Sequence, residues 1–170
     1  IYRNEDWVLS GTAAVTNTCD KLDSAGGVAI VAKSTNTNRA FLKPATNSSW
    51  NSASWLSQKQ LTFSAAVRTG AVLTAQCWQA GWALTNAFNL TTDADFAKFW
   101  FRSTTNATHL YFTYRVGSAT AVTTFTGIDL VAATNYLLQI KILPDRTVLA
   151  FVKAGSAILK SVIVDTVGVD

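Results

Sequence analysis

The sequence predicts an all-β protein, an antiparallel β-sandwich or barrel with a jelly roll as the preferred arrangement. Apolar and polar residues alternate with a period of two in one segment after another, and these segments are rich in Thr, β-branched and aromatic residues. Clusters of turn residues separate them at spacings of about 8 to 12 residues. No segment carries the apolar stripe of an amphipathic helix, so we expect little or no helix.

Turn residues bound the candidate strands in order along the chain. Gly, Asn, Thr and Ser form the early turns at Ser24–Gly27 and Thr35–Asn38, and later turns lie at Thr104–Asn106, Leu143–Arg146 and Ala154–Ser156. β-branched and aromatic residues fill the runs between them. The predicted strands cover residues 6–16, 27–34, 39–43, 61–69, 71–85, 96–103, 109–117, 121–127, 136–143, 147–153 and 157–165.

The longest irregular stretch, Pro44 to Lys59, contains Trp50 and Trp55. Exposure of two indole rings in a polar loop would be costly, so we expect both to pin the loop onto the sandwich. Three other tryptophans have strand positions that favour packing inside the protein: Trp7, Trp78 and Trp82.

The length of 170 residues fits a single domain spanning residues 1–170, large enough to bury a genuine core. The chain begins at Ile1 without an initiator Met or a secretory signal, so we expect a processed or trimmed chain, or a fragment of a longer one. No apolar run approaches the roughly 18 residues of a membrane helix. We therefore expect a soluble protein with no membrane partner.

The charge is weakly basic, with 14 Lys and Arg residues, ten Asp and Glu residues and a formal net charge of +4. A basic balance favours weak attraction to polyanions. The basic residues, however, are scattered singly, without the clusters of nucleic-acid modules. We expect a solvated surface and no nucleic-acid partner.

The poverty of acid and base residues argues against an enzyme. The chain has one Glu, Glu5, and one His, His109. General acid/base chemistry needs paired carboxylates or imidazoles with separated pKa values. A Ser-His-Asp triad would have to use His109, which stands at the start of a predicted strand, and no nucleophile-elbow motif is present. We expect no catalytic residues and no cofactor.

Metal binding is not expected either, although Asp93 and Asp95 are weak calcium candidates. No third carboxylate lies near them, and a turn before a strand explains both residues. Cys19 and Cys77 are far apart in sequence, and one His is too few for a zinc site. They form either a disulfide, in an oxidising compartment, or two buried free thiols.

Two aromatic residues are predicted on an outer face of the sheet. In 96–103 the apolar residues Ala97, Phe99 and Phe101 alternate with a second set, and successive side chains in a strand point to opposite faces. The second set shares the outer face: Lys98, Trp100 and Arg102.

The same alternation in 109–117 places Tyr111 and Arg115 on the outer face. The short connection at 104–108 predicts a hairpin, which would set Trp100 beside Tyr111 among Lys98, Arg102 and Arg115. Such a patch serves as a sugar-binding platform, as an assembly interface, or as plain intramolecular packing. The sequence leaves these three alternatives open.

Four segments carry a resemblance to a known family: "AGWALTN" at Ala80–Asn86, "TTDADFAKFWF" at Thr91–Phe101, the strand within Thr126–Ile142 and the hairpin Val148–Gly155. The chain resembles the concanavalin A-like lectin/glucanase jelly-roll domain as found in bacteriophage and other virus particle proteins. The resemblance covers about 61–160. It implies the fold more strongly than a function.

The chain departs from this family at two places. Lys153-Ala154-Gly155 stands where relatives usually have Asn-Gly, and the chain stops at Val167–Asp170 where relatives continue into a closing strand. Glycosidases of this fold use two Glu residues, so a chain with one Glu lacks their machinery.

The leading hypothesis is a non-enzymatic structural protein of a virus particle, a capsid decoration or a module of a fibre or tail. Its partners would be copies of itself and other virion proteins, with contact to a host surface glycan, and its location the virion surface or the extracellular space. The alternative is a carbohydrate-binding module or secreted adhesin that uses the face of Trp100 and Tyr111. The low share of charged residues, 14%, favours the first, because such a chain hides surface in its neighbours.

Overall fold

A computed structural model describes residues 7–11, 19–20, 29–30, 40–44, 60–74, 76–83, 95–116, 119–145, 147–154 and 157–165. The chain divides into two compact units, Ile1–Ala53 and Ser54–Asp170. Each unit is described by itself. The expectation of a single domain over 1–170 stays a prediction.

Two small antiparallel strand pairs are described in the first unit. β1 (Trp7–Gly11) pairs with β4 (Ala40–Pro44), with Leu9 opposite Leu42. β2 (Cys19–Asp20) pairs with β3 (Ala29–Ile30). The sequence predicted strands that contain β1 and β3 and one that overlaps β4, but it predicted no strand at β2. The side chains of Trp7 and Cys19, and the whole of Trp50 and Trp55, lie outside the described parts of the chain.

The described part of the second unit forms two antiparallel sheets of four strands each. Strands that follow one another along the chain pair directly in β6-β7-β8-β9 and in β10-β11-β12, and β5 joins the second sheet beside β10, which gives the order β12-β11-β10-β5. The strands are β5 (Leu61–Arg68), β6 (Cys77–Ala83), β7 (Phe96–Arg102), β8 (His109–Arg115), β9 (Val122–Asp129), β10 (Asn135–Ile142), β11 (Thr147–Ala154) and β12 (Ala157–Asp165).

The two sheets face each other across one apolar core, so the predicted all-β antiparallel sandwich is confirmed for these residues. Strand alternation produces the core, because every second residue of β7, β8, β10 and β11 points inward. A tilted pair of rings, Phe99 and Phe112, lies at its centre with ring centroids 5.2 Å apart. The buried apolar cluster comprises Ala97, Phe99, Phe101, Leu110, Phe112, Leu130, Tyr136, Leu138, Ile140, Ile142, Val148, Ala150 and Val152.

Trp78 and Trp82 pack against this core, as their strand positions predicted. The Trp78 ring lies 6.1 Å from that of Phe101 on the neighbouring strand β7. The Trp82 ring meets Phe63 of the opposite sheet edge-on, at 6.0 Å and 64°. Both tryptophans therefore bury apolar area between the sheets.

The predicted strand at 71–85 is wrong at its start, because β6 begins only at Cys77. The preceding residues form a turn that side chains hold to other backbone groups. The hydroxyl of Thr69, a buried residue, donates to the Val131 carbonyl at 2.6 Å and accepts from the Thr134 amide at 2.9 Å. Hydrogen bonds of this kind give the backbone an alternative to the sheet ladder.

A bulge changes the face of the residues in β9. The register shifts between Leu110, opposite Ile128, and Tyr111, opposite Phe125. Gly127 has a φ of 77°, in the left-handed region that glycine adopts without steric cost. The Thr126 hydroxyl fills the gap by donating to the Leu110 carbonyl at 2.7 Å. The bulge thereby sets Phe125 on the same outer face as Tyr111.

In the described parts of the chain, none of the elements is a helix long and apolar enough to cross a membrane.

Candidate functional site

An aromatic row runs across the outer face of the β6-β7-β8-β9 sheet. The registers place Trp100 of β7 directly opposite Tyr111 of β8, and Tyr111 directly opposite Phe125 of β9. His109, two residues before Tyr111, stands on the same face. We call Trp100, Tyr111, Phe125 and His109 the outer aromatic row. The hairpin that the sequence predicted between β7 and β8 is what brings its first two members together.

The rings of the outer aromatic row stack against one another. Trp100 and Tyr111 lie 4.5 Å apart between centroids, with their planes 14° from parallel. Tyr111 meets Phe125 at 5.8 Å and 52°, and Phe125 stacks on His109 at 4.1 Å and 23°. Strand side chains stand roughly perpendicular to the sheet. The near-parallel pair of Trp100 and Tyr111 therefore closes one face of each ring against the other.

Hydrogen bonds fix the orientation of Trp100. Its indole Nε1 donates to the Thr113 hydroxyl at 2.7 Å, and that hydroxyl is hydrogen-bonded to the Thr123 hydroxyl at 2.9 Å. These three residues lie on three adjacent strands. The polar atom of the indole is thus satisfied inside the sheet, and the row is held in one arrangement before any partner arrives.

A carboxylate and an imidazole mark the polar end of the row. His109 Nδ1 lies 2.6 Å from Asp129 Oδ1, and the Thr108 hydroxyl donates to the same oxygen at 2.7 Å. Because a carboxylate only accepts hydrogen bonds, the imidazole hydrogen lies on Nδ1. The hydrogen bonds from Thr108 and His109 lower the pKa of Asp129 below its ordinary value. Asp129 therefore keeps a negative charge on this exposed edge.

Lys98 corrects one part of the predicted site. Lys98 lies on the same face of the sheet as Trp100, as predicted, but its side chain is only 2% exposed, so it is not part of an open patch. Its Nζ lies 4.5 Å from the centroid of Phe96, which is buried on the same face. Strand parity assigns a face but does not reveal what covers it. The outer face is thus covered at the Phe96 end and open at the Phe125 end.

The glycine opposite Lys98 explains the close approach of the strands there. A Cβ atom at Gly81 would lie 2.3 Å from the Ala97 carbonyl oxygen and 2.6 Å from the Lys98 Cα. Only the absence of a side chain permits this geometry.

The two arginines of the predicted site are half-buried. Arg102 ends β7, and Arg115 ends β8, where its Nε donates to the Ala119 carbonyl at 2.6 Å. Arg115 is therefore engaged in holding the turn that leads to β9. A role for either residue in binding a ligand or partner stays a prediction.

The predicted metal and cysteine sites fall partly outside the described residues. Asp93 lies outside them, and Asp95 is a half-buried residue directly before β7. Within the described ranges, no group of three or more His, Cys, Asp or Glu side chains could hold a metal ion. Cys77 is a free, exposed thiol in this structure. The prediction of a buried thiol is therefore wrong for Cys77, whereas the disulfide to Cys19, whose side chain lies outside the described residues, stays a prediction.

Phe125 and Asp129 escaped the sequence prediction, and His109 was expected at the start of a strand but not as a member of the site. His109 and Asp129 are 20 positions apart, and the bulge at Gly127 controls which residue of β9 faces which residue of β8. A glycine inside a strand pattern indicates a bulge in general but not its effect on register. Gly127 was the one residue in the sequence that indicated this bulge.

The first half of β9 is unusually exposed. Residues 122–125 are all exposed, including the apolar Val122 at 44% and Phe125 at 41%. Consecutive residues of a strand point to opposite faces, so both faces of β9 are open here. β9 is also the last strand of its sheet among the described strands.

Comparisons of this chain with family models, curated proteins and solved structures gave no match in any of the three.

Proposed function

We propose that this chain is a non-enzymatic structural protein of a virus particle, a capsid decoration or a module of a fibre or tail at the virion surface. Its sandwich is then arranged as a concanavalin A-like jelly roll. Its partners are copies of itself and other virion proteins. The segment that carries the family resemblance, about residues 61–160, coincides with the two four-stranded sheets, which supports this arrangement.

The observation that carries the proposal is the exposed, uncharged first half of strand β9, residues 122–125. Natural sheets protect their edge strands with charges, prolines, bulges or covering segments, because an open edge pairs with another chain. Residues 122–125 read Val-Thr-Thr-Phe, with neither charge nor proline, and are exposed on both faces. A chain with only 14% charged residues and such an edge is suited to a surface that neighbours cover.

Light scattering coupled to size-exclusion chromatography, followed by electron microscopy of the same fractions, tests the structural role. We expect a concentration-dependent or stable oligomer and a repeating arrangement of particles. A monodisperse monomer over the full accessible concentration range, with no repeating particle in the images, would count against it.

A carbohydrate-binding module or secreted adhesin is the second candidate, because the outer aromatic row ends at Asp129. Aromatic rings provide apolar contact to a sugar ring, and a carboxylate accepts hydrogen bonds from its hydroxyl groups. The stacked faces of Trp100 and Tyr111 are closed to a sugar. Contact would use their outer faces and edges together with the exposed ring of Phe125.

A glycan array on the wild type and on Trp100→Ala tests this second candidate. Phe151→Ala is the matched control, because Phe151 is a half-buried aromatic residue on β11, close to Lys141 on the outer face of the other sheet. Sugar binding that Trp100→Ala removes and Phe151→Ala preserves would support it. A wild type without binding to any glycan would refute it.

A further inference from the structure

We propose that the open edge of β9 is a self-association strand, where the β9 strands of two copies pair antiparallel and join two four-stranded sheets into one of eight strands. This inference rests on the proposed function and names the surface by which copies of the chain would meet. Backbone pairing at a sheet edge supplies hydrogen bonds, and the side chains of the strand select the partner.

The other sheet edges are less suited to this role. At β6, the opposite edge of the same sheet, the described side chains after Cys77 are half-buried. At β5, exposed and half-buried residues alternate, so one of its faces is covered by the sandwich. β12 carries Lys160 within its sequence, a charge of the kind that protects an edge. Among the described side chains of these edges, only β9 shows four consecutive exposed residues without a charge, at 122–125, and its one charged residue, Asp129, lies at the far end of the strand.

The sequence of β9 is compatible with its own copy. Residues 119–128 contain no charged residue and no proline, so every residue in this run keeps a backbone N–H. Antiparallel pairing about a twofold axis repeats the same contacts on both sides. If Thr124 lies opposite its own copy, Phe125 meets residue 123 of the second copy on the outer face. Asp129 lies beyond the bulge at Gly127, outside this paired run, so the two Asp129 carboxylates do not meet.

The pairing would extend the outer aromatic row across both copies. Phe125 is the ring of the outer aromatic row on the edge strand, and this strand would become a central strand of the joined sheet. Its exposed ring, with the inward-facing Val122, would be covered by the second copy. Removing apolar side chains from water contributes to association in proportion to the area buried. Backbone pairing and side-chain burial therefore act at the same four residues.

Charge substitution at Thr124 tests the contact by sedimentation velocity on the full chain. Thr124→Lys and Thr124→Glu each place like charges opposite one another, and an equimolar mixture of the two places opposite charges there. Thr124 lies opposite Phe112 on the inner face but is exposed at this edge, so the urea midpoint of each variant is first compared with that of the wild type to check that the fold is kept. The matched control is Thr62→Lys, an exposed threonine on β5 at the edge of the other sheet.

We expect the dissociation constant of the wild-type dimer to rise at least about tenfold in each Thr124 variant alone, which corresponds to about 1.4 kcal/mol. The mixture restores wild-type association, and Thr62→Lys leaves it unchanged. If the wild type associates and both Thr124→Lys and Thr124→Glu associate equally strongly, the β9 contact is overturned and the structural role stays intact. A wild type that stays monomeric at every concentration would overturn both.

Discussion

Two aromatic pairs on the hairpin of β7 and β8 lie one residue apart and face opposite sides of the sheet. Phe99 and Phe112 meet inside the sandwich, where they are almost fully buried. Trp100 and Tyr111 meet on the outside, where they are half-buried and stack at 4.5 Å. The same register positions both pairs. The inner pair belongs to the core, and the outer pair begins a row that leads to an exposed edge.

The difference shows how one hairpin presents a fully buried aromatic pair to the core and a half-buried pair to the outer face. The inner rings are surrounded by side chains from both sheets, so replacing one leaves a cavity. The outer rings are half-buried, so part of their surface stays in contact with water. Substitutions one position apart are therefore expected to have different effects, and three predictions test this in order of decreasing size.

Phe99→Ala is expected to have the largest effect. Phe99 is 0% exposed, and its truncation removes apolar contacts and leaves a cavity between the sheets. We expect the free energy of unfolding to fall by about 3–5 kcal/mol. Urea unfolding followed by tryptophan fluorescence measures this loss. A decrease no larger than that of Trp100→Ala would contradict the assignment of Phe99 to the core.

Trp100→Ala should destabilise the protein much less. It removes one stacked cross-strand pair, and the Thr113 hydroxyl keeps Thr123 as its partner. We expect a loss of about 1–2 kcal/mol in the free energy of unfolding, measured under the same conditions. Trp100→Phe serves as the control, because it retains an aromatic ring against Tyr111. A loss as large as that of Phe99→Ala would mean that the outer row is structural core.

Asp129→Asn should have the smallest effect, present near neutral pH and lost at low pH. The folded-state pKa of Asp129 is lowered by hydrogen bonds from Thr108 and His109, so its carboxylate favours the folded state above the unfolded-state pKa of about 3.9. That contribution disappears as the pH falls through the lower folded-state value.

The difference in urea midpoint between wild type and Asp129→Asn should accordingly shrink as the pH falls below about 5 and through the unfolded-state pKa of about 3.9. Asp145→Asn, at an exposed turn of the other sheet, is a control for the removal of any one carboxylate. A difference that stays constant over this range would show that the hydrogen bonds to Asp129 do not favour its charged form.

Strand order along the chain was largely predictable because alternation is a local property. The expectations at 61–69, 96–103 and 157–165 match β5, β7 and β12 to within one residue at each end. The short connection after β7 was also sufficient to pair Trp100 with Tyr111. Each of these depends on residues close together in sequence.

The misses depend on contacts that are distant in sequence. Lys98 lies on the predicted face of its strand. Its burial beside Phe96 depends on the residues that cover this end of the sheet face. The contact between His109 and Asp129 depends on the two-residue shift at the Gly127 bulge. The start of β6 depends on the link between the turn at Thr69 and the Val131 carbonyl. Local patterns carry no information on these contacts.

Amide hydrogen exchange at low and high protein concentration is the sharpest test of whether β9 is an association edge beside a stable core, because it measures the protection of the core and of the edge separately. Amides of β10, whose inward residues lie in the core, should be protected at both concentrations. Among residues 122–125, the amides that point away from β8 should exchange rapidly in the dilute sample and become protected in the concentrated one. Protection in β9 that does not change with concentration, in a sample that associates, would contradict the account.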